Sequence, residues 1–302
     1  MNQPIVMSRR EVLVASLGAG LALRLGGSTV LAQESVAPAE TIAVPENAVA
    51  WPKYNLNTTS SEQFMSIPGA GDRMTREFEE YRPYTSIGQF RGEIGKYVSP
   101  QEVAAFEAYL FVPVDPNQAD AETLQQLPGV TAEIADALVA GRPYDSRETF
   151  LAALGAQAAP ELVSAAATFL APDAGVTATW VKYNLNTAST GQLQGIPGAG
   201  ERMTREFEEY RPYTSISQFR GEIGKYVSPE EVAAFEQYLF VPVAPNQVDV
   251  DTLQQLPGVN ADVAQTLSAD GPFDTIESFL AALETTIAPE LVSIAKTYVV
   301  SA

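Results

Sequence analysis

Ile67-Pro68-Gly69-Ala70-Gly71, running on into Asp72-Arg73-Met74-Thr75-Arg76-Glu77-Phe78, is the stretch on which the reading of the chain turns. It returns 129 residues later as Ile196-Pro197-Gly198-Ala199-Gly200, followed by Glu201-Arg202-Met203-Thr204-Arg205-Glu206-Phe207. Shorter forms, Leu127-Pro128-Gly129-Val130 and Leu256-Pro257-Gly258-Val259, lie 60 residues further on in each case. An apolar residue, Pro-Gly and a small residue between two short helical patterns read as a tight helix-to-helix hairpin. Glycine is wanted there because the turn needs positive φ, or because another backbone or an anion comes close.

From Trp51 onward the two halves align at an offset of 129 without a gap, and each half divides again at an offset of 60. Pro83-Tyr84 matches Pro143-Tyr144, Phe90 matches Phe150, Pro100 matches Pro160, and Tyr109-Leu110 matches Phe169-Leu170. Four degenerate units of roughly 60 residues follow, at 51–113, 114–172, 180–242 and 243–302, with 173–179 as a linker between two rigid repeats. The units have diverged unequally: 73–114 and 202–243 differ at three of 42 positions, whereas 115–173 and 244–302 differ at 27 of 59. Either the odd units tolerate less change, which points to function concentrated there, or a correction process homogenised them alone.

Each unit reads as a set of short helices. Ser60 caps the first, with Gln63 returning the bond, and the hairpin ends it. A second runs from Asp72 to Tyr81 and buries Met74, Phe78 and Tyr81 at i, i+4 and i+7. Arg82-Pro83 stops it, because proline neither continues a helix nor favours it at the residue before. A short helix through Ile87 and Phe90 leads to Ser99-Pro100-Gln101-Glu102, a capping box with proline at the first helical position. The last helix places Val103, Phe106 and Leu110 on one face. No alternating pattern stands above Leu110-Phe111-Val112, so the expected fold class is all-α, built of tandem helix-hairpin-helix units.

Residues 1–32 read as an export signal. Ser8-Arg9-Arg10-Glu11-Val12-Leu13 resembles the twin-arginine signal, with Val12 and Val14 departing from its usual Phe and Lys. The apolar run to Leu31 is too interrupted for a stable membrane span. Val30-Leu31-Ala32 offers small residues for cleavage after Ala32, so the expected location is the periplasm, the cell surface or the thylakoid lumen. Residues 33–50, rich in Ala, Pro and Glu, read as a flexible spacer. No segment of the mature chain is long and apolar enough to span a membrane.

The chain of 302 residues contains no cysteine and no histidine. Disulfide frameworks, thiolate nucleophiles, Ser-His-Asp chemistry and most zinc or haem sites are thereby removed. No catalytic residue, metal site, cofactor or small-molecule substrate is expected, and the protein reads as a non-enzyme. Asp115-Pro116-Asn117-Gln118-Ala119-Asp120 lacks the spacing of a calcium loop, and Asp120 and Asp249 read as helix N-caps. The net charge of −19 opposes a nucleic-acid partner, because affinity for DNA comes largely from neutralising phosphates. It equally suits a solvated acidic surface.

Asn184-Leu185-Asn186-Thr187-Ala188-Ser189, then Leu193 and Ile196-Pro197-Gly198-Ala199-Gly200, resembles the opening of the helix-hairpin-helix domain in ComEA-type DNA-uptake proteins. Asn55-Leu56-Asn57-Thr58-Thr59-Ser60 carries the same likeness in the first half. Arg-Pro-Tyr-Thr-Ser at 82–86 and Tyr-Leu-Phe-Val at 109–112 are similar to PsbU, the extrinsic photosystem II subunit, whose related fold docks on proteins. The resemblance covers nearly all of 51–302 and implies the fold more specifically than the partner.

Carried over from the DNA-binding members, the contacts would be the backbone amides of Gly69, Ala70 and Gly71 and of Gly198, Ala199 and Gly200. Arg73, Arg76, Arg202 and Arg205 would add charge. A nest of amides at a helix start holds an anion without any side chain. Against that, Asp72 and Glu201 follow the second glycine directly, where they also suit the helix dipole. The even units replace that glycine with Thr131 and Asn260. Arg73–Glu77 and Arg76–Glu80 at i, i+4 read equally well as ordinary solvated pairs. Duplex DNA bound without sequence preference is therefore the leading partner. The alternative is a protein-docking or scaffold module on an envelope or thylakoid complex at the membrane surface.

Overall fold

The computed structural model describes residues 44–301. Residues 1–32, read as an export signal, and residues 33–43 of the expected spacer lie outside the described residues. The first unit runs β1 (Ala48–Asn55), α1 (Ser61–Met65), α2 (Gly71–Glu80), α3 (Ile87–Ile94), α4 (Pro100–Glu107) and β2 (Leu110–Phe111). The second holds α5 (Ala121–Leu124), α6 (Ala132–Ala140), α7 (Arg147–Gly155) and α8 (Pro160–Ala167). The second repeat follows the same plan. Its odd unit has β3 (Thr177–Asn184), α9 (Thr190–Gln194), α10 (Gly200–Glu209), α11 (Ile216–Ile223), α12 (Pro229–Glu236) and β4 (Leu239–Phe240). Its even unit has α13 (Val250–Leu253), α14 (Ala261–Asp270), α15 (Ile276–Glu284) and α16 (Pro289–Ala295).

The helices form close to where the sequence places them, except that the last helix of the first unit ends at Glu107 and Leu110, expected on its face, lies in β2. Ser60 and Gln63 make a reciprocal capping box, as do Ser99 and Glu102 with Pro100 at the start of α4. Asp120 and Asp249 cap α5 and α13. Phe78, fully buried, is the hub of the first unit, with ring centroids 5.2 Å from Phe64, 5.9 Å from Phe90 and 5.2 Å from Phe106.

The all-α expectation is wrong. The chain is mixed α/β, with a four-stranded curled sheet in the order β2-β1-β3-β4. Its centre is the antiparallel pair β1–β3, with Trp51 opposite Trp180; β2 and β4 add to it in parallel on either side. Two residue choices hide these strands from a pattern search. Lys53 and Lys182 occupy positions on the face of Trp51 and Trp180, where an apolar residue would complete the period-two alternation. Pro52 stands mid-strand, where proline normally argues against a strand.

The ladder explains why Pro52 is tolerated. The amides of Asn55 and Asn184 bond across to Val176 and Asn47, so the odd positions of β1 carry the hydrogen bonds to β3. The even positions face the other way, as Tyr54 and Leu56 do in donating to Tyr109 and Phe111. β2 pairs only with Tyr54 and Asn55, so the missing N–H of Pro52 has no ladder partner to lose.

Residues 48–50, read as the end of a spacer, and 177–179, read as linker, are thus strand. The strands join the repeats into one sheet about a pseudo-twofold axis between Trp51 and Trp180. Each indole N–H donates to the carbonyl that ends the helix preceding β2 or β4, Ala108 at 2.9 Å and Gln237 at 2.7 Å. A buried N–H left without such an acceptor costs about 1–3 kcal/mol. Asn47 ties β1 to the other repeat as well, through Thr187 and Gln192.

Candidate functional site

The four hairpins are built alike and finished differently. Gly69, Gly129, Gly198 and Gly258 all sit at φ between 81° and 84°, the left-handed region that the Pro-Gly signal implies. In the odd hairpins a second glycine follows with positive φ, Gly71 at 51° and Gly200 at 54°. The residue between them, Ala70 or Ala199, is buried and donates its amide back to Ile67 or Ile196 at 3.0 Å.

The helices that start at the odd hairpins, α2 and α10, have no side-chain cap. Their first backbone bonds run from Met74 to Ala70 and from Met203 to Ala199. The amides of Gly71, Asp72 and Arg73, and of Gly200, Glu201 and Arg202, therefore have no acceptor among the described residues. The same holds for Gly69 and Gly198. Ala70 and Ala199 depart from their expected role, since their amides are spent inside the turn.

The even hairpins leave their first helical amides equally open and differ at the glycine and at the cap. Thr131 caps α6 by accepting from Ile134, and Asn260 caps α14 by accepting from Val263. Their glycine amides are taken by tyrosines of the opposite repeat: Gly129 donates to the hydroxyl of Tyr238 at 3.2 Å, and Gly258 to that of Tyr109 at 3.1 Å. Burial pushes both phenols up to about 12, so they stay neutral acceptors at any ordinary pH. Tyr109 and Tyr238 were not legible as hairpin partners, because each acts on a glycine more than 100 residues away. Replacing either with Phe leaves a buried amide without an acceptor and should cost about 1–3 kcal/mol. Thermal denaturation of Tyr109→Phe, Tyr238→Phe and the double variant checks this; an unshifted Tm in all three would refute the bond.

The arginines of α2 and α10 are less committed than their spacing suggests. Neither Arg73–Glu77 nor Arg76–Glu80 is an ion pair among the described residues. Arg73 lies 5.6 Å from the ring centre of Tyr97, and Arg202 5.8 Å from that of Tyr226. Arg76 and Arg205 are exposed, with no carboxylate partner among the described residues. The structure brings Gly69, Gly71, Arg73 and Arg76 to one hairpin and helix start, and Gly198, Gly200, Arg202 and Arg205 to its counterpart. The first of these hairpins faces the even hairpin of the other repeat across a groove lined by Met65, Pro68, Gly69, Gly71, Gly258 and Asn260.

The motif residues Asn57, Asn117, Asn186 and Asn246 have a structural task instead. Each side-chain amide bridges the backbone of the residue 27 positions on, Tyr84, Tyr144, Tyr213 and Phe273. No group of three or more His, Cys, Asp or Glu side chains suited to a metal occurs among the described residues. None of the helices there is long and apolar enough to cross a membrane. No protein family, curated protein or solved structure matches the chain.

Proposed function

We propose that this is an exported, non-enzymatic binding protein whose two odd hairpins hold the phosphate backbone of duplex DNA without reading its sequence. One observation supports the reading above the others. The glycine amide of each odd hairpin, Gly69 and Gly198, stays open beside arginines that make no ion pair among the described residues, while the matching amides of Gly129 and Gly258 are taken by tyrosines. Export rests on the twin-arginine-like run at Ser8–Leu13.

The net charge of −19 and the carboxylates of Asp72 and Glu201 set the expected strength. Few phosphates are neutralised against a repulsive background, so binding is salt-sensitive and weak. A fluorescent duplex titrated with the protein should show a saturable signal at about 20 mM salt that is lost by about 200 mM, with a log–log slope of a few units. Replacing Gly69 or Gly198 confounds this test through the strain of placing a side chain at positive φ. Arg76→Ala with Arg205→Ala alters exposed side chains only, and should lower the slope by about two. Absence of binding at the lowest salt would retire the DNA reading and leave protein docking, which the acidic surface favours.

A further inference from the structure

The face of the sheet at the repeat axis carries charge that its folded surroundings do not neutralise. The Lys53 ammonium lies 4.7 Å from the ring centre of Trp180 and donates to the Glu107 carbonyl at 2.8 Å. Lys182 mirrors it, 4.7 Å from Trp51 and donating to the Glu236 carbonyl at 3.0 Å. Both lysines and both tryptophans line one cleft of about 360 Å³, whose wall also carries Arg91 with Glu107 and Glu122.

An ammonium has three donors, and each lysine uses one on a carbonyl. Neither pairs with a carboxylate among the described residues. The acids nearby are taken. Arg91 of α3 holds Glu107 of α4 and Glu122 of α5, and Arg220 of α11 holds Glu236 of α12 and Asp251 of α13. Burial is the main cause that lowers both ammoniums to about 8; the charges of Glu107 and Glu236 oppose it, and the charge of Lys182 lowers Lys53 further. Two half-buried cations on either side of the Trp51–Trp180 pair, whose nearest carboxylates are already held by Arg91 and Arg220, are costly to keep unless something answers them.

We propose that this cleft binds a small dianion, held between the Lys53 and Lys182 ammoniums against the two indoles. Four N–H donors without a hydrogen bond remain on two ammoniums that line one space the size of a small-ligand site. The volume admits an inorganic oxyanion or a short dicarboxylate and excludes a duplex, so the site is separate from the odd hairpins. The ligand chemistry is oxygen-rich and doubly negative. A bound dianion favours the protonated lysines, so affinity is highest below pH 8 and falls as the pH rises through that value.

Trp51 and Trp180 are the chain's two tryptophans, and both line the cleft, so intrinsic fluorescence reports on it directly. The test titrates the full-length protein with sulfate and with succinate at pH 7, at ionic strength fixed with chloride. Both probes keep two negative charges from pH 7 to 10, so any pH dependence belongs to the protein. A saturable change with Kd near or below about 1 mM is expected for at least one probe, with affinity falling at least about tenfold by pH 9.5. Sulfate alone would identify a compact oxyanion, and succinate alone a spaced dicarboxylate. Lys53→Met with Lys182→Met should abolish the response. No response from either probe, one that chloride reproduces, one that survives the double substitution, or one independent of pH would overturn the proposal. Should the double variant misfold, the wild-type pH profile decides.

Discussion

Residues 173–302, expressed alone, should sediment at twice the monomer mass. Trp180 stands 129 positions after Trp51, and the two are Cα partners in the central strand pair. The register that joins β1 to β3 therefore becomes, for two copies of the second repeat, a self-complementary register with Trp180 opposite Trp180. That is the geometry of an isologous twofold interface. The hairpin seal survives the substitution: Tyr238 is the counterpart of Tyr109, so each copy can close the Gly258 hairpin of the other. Val181 replaces Pro52 and is better suited to a strand.

A lone monomer would expose the full edge of β3 together with the buried faces of Trp180, Val181 and Tyr183, which an isolated fold does not tolerate. Sedimentation equilibrium, with thermal denaturation at several concentrations, is the check. A dimer whose Tm falls on dilution is expected, because folding and association are linked. A folded monomer with a concentration-independent Tm would show that the repeats need no partner strand. In the intact chain the short connection supplies the partner at high effective concentration, so the tandem protein behaves as a covalently joined dimer.

The helices were legible because their signals are local. Ser60 with Gln63, Ser99 with Glu102, Asp120 and Asp249 each act within one turn, and the spacing of Met74 and Phe78 repeats on one face. The hairpins were legible as turns for the same reason, since Pro-Gly determines its own backbone. The sheet was not, because its evidence in the sequence is interrupted at the very positions that distinguish it. Lys53 breaks the apolar alternation, and its charge is tolerated only because Trp180 and the Glu107 carbonyl arrive from elsewhere in the fold. The unequal hairpins were half legible. Loss of the second glycine at Thr131 and Asn260 is visible in the chain, but the tyrosines that seal those hairpins are not local to them.

Arg82→Ala should destabilise the protein by about 3 kcal/mol, and an arginine introduced at position 271 should do the reverse. Arg82 reaches back from the end of α2 to the turn after β1. Its Nε donates to the Leu56 carbonyl and its Nη2 to that of Thr59 at 2.6 Å, while the guanidinium lies 4.9 Å from the ring centre of Phe64. Leu56 and Thr59 are buried, so truncation leaves two carbonyls without donors. The same fork recurs at Arg142, bonded to Pro116 and Ala119, and at Arg211, bonded to Leu185 and Ala188. For a chain of this size the expected fall in Tm is about 5–6 °C. Arg82→Lys should recover only part of it, since a single ammonium cannot reproduce the planar fork. The fourth unit has Gly271 at this position, yet Asn246 still bridges to Phe273 in both directions. Gly271 has φ −71°, open to any residue, and an added Cβ meets its nearest neighbour, the Ser268 carbonyl, at an ordinary 3.6 Å. Gly271→Arg can thus complete the clamp that the other three units possess while reducing the freedom of the unfolded chain. A gain of about 1 kcal/mol follows, read as a higher urea midpoint at unchanged m-value. A loss at position 271, or no loss at position 82, would mean that the repeated arginine fork does not hold the units closed.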